Sequence, residues 1–134
     1  MKWPFEYGKN KSQANLSERP SPANMLMDYL SDLAEGAQGR AEYHRSEEAK
    51  LVEPDQHHEL LAWWYESRGE AYSEAYLAVA KNWNETLHVL NWTKYIETIT
   101  ADIEKAREEN NPIISEALTD ALRFARLCQK EEKY

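Results

Sequence analysis

Glu85-Thr86-Leu87-His88 sets a carboxylate and an imidazole three residues apart, and Asp55-Gln56-His57-His58 does the same with Asp55 and His58. On a helix, residues three apart share a face, so each pair offers two ligands to one cation, the device that helical-bundle di-iron proteins use. Such a site also needs lone carboxylates on two further helices. Glu70 and Glu74 would serve, but they follow the Asp55/His58 pair on the same helix. With 4 His and 24 acidic residues in the chain, a pair or so at this spacing arises by chance. The expectation is no metal and no cofactor. The competing reading is a carboxylate/His metalloprotein using Glu85, His88, Asp55 and His58.

Covalent chemistry has less support. Cys128, the single cysteine, falls on an apolar helical stripe with Ala121 and Ala125, where a thiol acts as a small hydrophobe rather than an activated thiolate. Gly36-Ala37-Gln38-Gly39 lacks the Lys-Ser/Thr that a phosphate loop requires. No catalytic residue emerges, and the chain is expected not to be an enzyme.

Two other features suit the binding of a protein. Glu59, Glu66, Glu70 and Glu74 are spaced by seven, four and four, which places them on one side of a helix. Four residues are about 6 Å of helix, close to the spacing of phosphates along a strand, so the stripe suits a basic, nucleic-acid-handling partner. Arg68 is the one basic residue between Asp55 and Ala80. The second feature is aromatic surplus: 5 Trp and 8 Tyr. Trp63, Trp64 and Tyr65 sweep about 200° of a helix, so if Trp64 and Tyr65 face a core, Trp63 points away from it. Trp83, between two Asn, looks hard to bury. Trp3, Phe5 and Tyr7 alternate along an extended segment, a spacing suited to anchoring in pockets. Trp and Tyr are frequent interface anchors.

These residues need elements to hold them. Ser21-Pro22 reads as a cap followed by Pro at the first helical position, with Leu26, Tyr29, Leu30 and Leu33 at helical spacing behind it. Gly36 and Gly39 should end that helix, and a charged helical piece over about 40–52 should complete an N-terminal hairpin. Asp55 should cap a long helix to residue 81, with Leu61, Tyr65, Arg68, Tyr72, Ala75 and Val79 as its seam. Asn84 should cap the next, 84–109, with Val89, Trp92, Ile96, Ile99, Ile103 and Ala106 inward. An unbroken helix from 55 to 109 is the alternative. Asn111-Pro112 should open the last helix, 112–131, whose stripe is Ile114, Ala117, Leu118, Ala121, Leu122, Ala125 and Cys128. No stretch alternates as a strand would. The predicted architecture is all-α: a bundle of three long helices with an N-terminal helical hairpin, forming one domain over 22–134, preceded by an extended or disordered arm over 1–21.

The chain has 134 residues and a formal charge of −8, enough for one core and unsuited to direct nucleic-acid binding. The charge is uneven: 1–21 carry four cations against two carboxylates, and the rest carries the acid. No apolar run spans a membrane. The start lacks an apolar signal region, so a cytoplasmic location is expected. Size, acidity and aromatic content resemble those of small helical phage-encoded inhibitors of host enzymes, a likeness of composition that carries over no residue. The function expected is a small acidic inhibitor or regulator that binds a protein partner, with an isologous homodimer expected through the 55–109 helices.

Overall fold

The computed structural model describes residues 21–53 and 56–132. Among the described residues four helices carry the fold: α1 (Pro22–Ala49), α2 (His57–Lys81), α3 (Trp92–Glu108) and α4 (Pro112–Glu132), with β1 (Trp83–Asn84) and β2 (Val89–Leu90) between α2 and α3. The all-α bundle is as expected. The expected arm, and with it Trp3, Phe5 and Tyr7, lies outside the described residues.

The N-terminal hairpin does not form. Residues 22–49 are one helix that runs through Gly36 and Gly39. Neither glycine takes positive φ, so neither makes the left-handed C-cap that stops a helix. The buried face continues past them as Ala34, Ala37 and Ala41, and packing along it overrides a glycine penalty of about 1 kcal/mol each. Ser21 caps the helix as read, its Oγ accepting from the Asn24 amide at 3.2 Å.

α1 and α2 lie antiparallel and close. A Cβ added at Gly69 would sit 3.5 Å from the Ala37 Cβ, so small residues on both helices set their approach. Asp55, the expected cap of α2, lies outside the described residues. The N-cap is Gln56, in left-handed conformation at φ 65 and without a side-chain cap bond. Glu48 at the end of α1 accepts from the Gln56 amide instead, at 3.2 Å.

The chain breaks after Lys81 as expected, but Asn84 does not cap α3. Its Oδ1 accepts from the Leu87 amide at 3.0 Å, closing a turn between the two short strands, in which Trp83 pairs with Leu90. Asn91 makes the same three-residue bond to Lys94 at 3.1 Å and is the true cap. Strands of two residues are too short to show alternation in sequence. α3 ends in a Schellman motif: Asn110 is left-handed at φ 55, and the Asn111 amide reaches the Ala106 carbonyl at 2.8 Å. Asn111 then caps α4 through the Ile114 amide at 3.2 Å, as its position before Pro112 implied.

The main core joins the first half of α1 and the second half of α2 to α3 and α4. Leu26, Leu30, Ala75, Val79, Tyr95, Ile99, Leu118 and Cys128 are among its buried members. The Tyr95 hydroxyl donates to the Ala75 carbonyl at 2.9 Å. The seams proposed for a dimer are filled from within: Tyr72, Ala75 and Val79 of α2 and Ile99 and Ile103 of α3 belong to this core. Among the described residues, no member of it comes from 35–70. There α1 and α2 continue as a two-helix pair.

Candidate interaction surface

The α1–α2 pair beyond the core is held by polar and ring contacts. His44 and His58 meet Nδ1 to Nδ1 at 2.9 Å. His44 also stacks on Tyr65 with centroids 5.7 Å apart, and the Arg40 guanidinium lies 5.6 Å from the centre of the same ring. Arg45 pairs with Glu66. Ala41 and Ala62 are buried here.

The two sides of this pair differ in charge. On one side Arg68 lies 4.9 Å over the Trp64 ring, donates to the Tyr72 hydroxyl at 2.6 Å and pairs with Asp120 at 3.3 Å. Arg68 therefore does not dilute the acidic stripe. Glu59, Glu66, Glu70 and Glu74 are all exposed, on one side of α2 as their spacing implied. Glu66, Glu70 and Glu74 border a groove of about 200 Å³ whose floor includes Ala34, Ala41 and Gly69. Glu42 and Arg45 border it from α1. The Glu74 carboxyl is held above its ordinary value by burial first, then by the negative charges of Asp102 and Glu70, which outweigh Lys105 and Lys81. This groove was not visible in the sequence, because a helix ending at Gly36 would not have placed Ala41 and Glu42 opposite Gly69.

Trp63 points outward and is 55% exposed. Leu60, one turn before it, is 63% exposed and was missed; it falls outside the heptad seam yet sits beside Trp63. Tyr43, Leu51 and Val52 are also exposed at this end. Trp64 does not face the core: it is exposed beneath Arg68, because the bundle does not extend to the first turns of α2. Trp83 is half-buried and packed against the core through β1, so it is a structural aromatic rather than a free anchor.

The metal-type pairs lose the geometry assumed for them. Glu85 and His88 lie in the turn between β1 and β2, with His88 left-handed at φ 54; no helix sets them on one face. Asp55 is outside the described residues, and His58 is engaged with His44. Among the described residues, no group of three or more His, Cys, Asp and Glu is arranged to hold a metal ion. Cys128 is buried, and burial, then the charge of Glu131, pushes its thiol up to about 11. Among the described residues no helix is long and apolar enough to cross a membrane. No known family model, curated protein or solved structure matches this chain.

Proposed function

We propose that this protein is a non-enzymatic inhibitor or regulator that acts in the cytoplasm by binding a protein partner through the acidic side of α2. The observation that supports it most is the pairing of exposed Trp63 with Glu59, Glu66, Glu70 and Glu74 on one side of one helix. An aromatic anchor beside a charged stripe divides the work of binding: burial of the ring supplies affinity, and the carboxylates steer encounter and select the partner. The spacing and sign of the stripe favour a basic channel of a nucleic-acid-handling protein, entered as a nucleic-acid strand would enter it.

The test is affinity capture from the native cell with three baits: the wild type, Trp63→Ala, and the triple change Glu66→Gln, Glu70→Gln, Glu74→Gln. A partner held by the wild type should be lost or weakened about tenfold or more by Trp63→Ala, as hot-spot truncations are. The triple change should weaken it and flatten its salt dependence. Equal capture by all three baits would overturn the proposal. Elemental analysis addresses the metalloprotein reading: stoichiometric iron, manganese or zinc in the purified protein would replace the proposal with it.

A further inference from the structure

α1 and α2 border a second cavity, on the Arg68 side of the pair. Its volume is about 430 Å³, within the range of pockets that hold drug-sized ligands. Trp64, Tyr65 and Tyr72 give it an aromatic wall, and Arg40 from α1 and Arg68 from α2 line it as well. Gly36 adds room at its edge, because a Cβ built there meets nothing within 4 Å.

Rings hold both guanidiniums in place while most of their donors stay unspent. Arg40 lies 5.6 Å from the centre of the Tyr65 ring, and it makes no hydrogen bond or ion pair with the described residues. Arg68 lies 4.9 Å from the Trp64 ring centre and 5.5 Å from that of Tyr72, and its side chain is only 14% exposed. It spends Nη2 alone, on the Tyr72 hydroxyl and on Asp120. Among the described residues its Nη1 and Nε have no acceptor. Asp120 is itself shared with Arg123 at 3.5 Å. A largely buried cation with unmet donors carries a cost that a bound anion would relieve. Among the lining residues Asp32 is the one carboxylate. Two guanidiniums against Asp32 leave a surplus of one positive charge, which a carboxylate matches and a dianionic phosphate exceeds.

We infer that this cavity binds a small planar aromatic carboxylate, with its ring against Trp64 and Tyr65 and its carboxylate on the guanidiniums of Arg40 and Arg68. The planar guanidinium matches a carboxylate in hydrogen-bond geometry and tolerates a ring on its face. The aromatic contacts already orient the two side chains, so little rotamer freedom remains to be lost on binding. Neither Trp63 nor the acidic stripe takes part, so the inference stands apart from the proposed partner surface.

The test is titration of the ¹⁵N-labelled full chain with 2-naphthoate, its neutral amide 2-naphthamide, and acetate, read by amide shifts. 2-Naphthoate should give saturable shifts confined to 32–40 and 64–72, with the amides of 99–106 unmoved. The neutral amide lacks the charge-assisted bonds and acetate lacks the ring, so each should bind about tenfold or more weakly. Arg40→Gln removes an exposed side chain with no ion pair to lose, and it should weaken 2-naphthoate about tenfold. Gly36→Leu takes up space in the cavity on a helix that favours leucine over glycine, and it should remove the binding. The absence of saturable shifts would overturn the inference. Equal binding of acid and amide would do the same, as would Arg40→Gln binding like the wild type. Tighter binding of 2-naphthyl phosphate would overturn the choice of carboxylate and assign the cavity to phosphoryl groups. Partner capture reads a different surface, so the two proposals fail separately.

Discussion

Trp63 and Trp92 show how position decides what one side-chain type does. Trp63 keeps more than half of its surface in solvent, whereas Trp92 is in the core. Trp63→Ala should change unfolding free energy by no more than about 0.5 kcal/mol, and Trp92→Ala should cost about 3–5 kcal/mol; denaturant titration of the two variants checks the contrast. Cys128 gives a pH signature. Its thiol is raised in the folded state from 9.0 to about 11, and burial raises the Tyr95 hydroxyl as well. A raised folded value means that stability is full below the unfolded value and is lost as pH climbs through the folded one. Stability should therefore hold up to about pH 9 and fall between about pH 9 and 11. Cys128→Ala should shallow that fall, as thermal melts across this range would show.

At the scale of elements, what the sequence disclosed depended on whether local chemistry or distant packing set the boundary. Ser21-Pro22 and Asn111-Pro112 were legible because the cap and the proline act within one turn, and the stripe of α4 because seven apolar positions recur at helical spacing. Gly36 and Gly39 misled because the deciding partner, Gly69 on α2, lies some thirty residues away. Asn84 misled because the same side-chain bond that caps a helix also closes a turn. The candidate surface was half legible: the angles of Trp63 and the four glutamates follow from α2 alone, but the groove beside them requires α1 to continue past Gly39. That continuation predicts that Gly36→Ala and Gly39→Ala each stabilise the protein, by about 0.5–1 kcal/mol. A Cβ at either site meets nothing within 4 Å. Thermal melts of the single and double variants, with gains that add, would bear this out.

Across the whole molecule, stability is unevenly distributed. Among the described residues the main core takes none from 35–70, so the far end of the α1–α2 pair rests on alanine contacts, the His44–His58 bond and the exposed Arg45–Glu66 pair. Exposed ion pairs contribute about 0–1 kcal/mol. Hydrogen exchange should then be faster by ten-fold or more for amides of 42–48 and 58–64 than for those of 72–79 and 96–103. Equal protection in the two zones would show the pair to be part of one cooperative unit.

The bond between His44 and His58 carries a consequence of its own. Two neutral imidazoles can share a hydrogen between their Nδ1 atoms only if one holds it and the other does not. In the doubly neutral pair the rings are thus opposite tautomers: one keeps a bare Nε2 that can accept, and the other an Nε2–H that can donate. In that state the two chemically identical side chains form a polarised couple at the end of the helix pair. Nitrogen NMR of the neutral pair should report it as two histidines with inverted Nδ1 and Nε2 shifts, and Tyr65→Ala, which removes the ring stacked on His44, should blur that inversion into exchange.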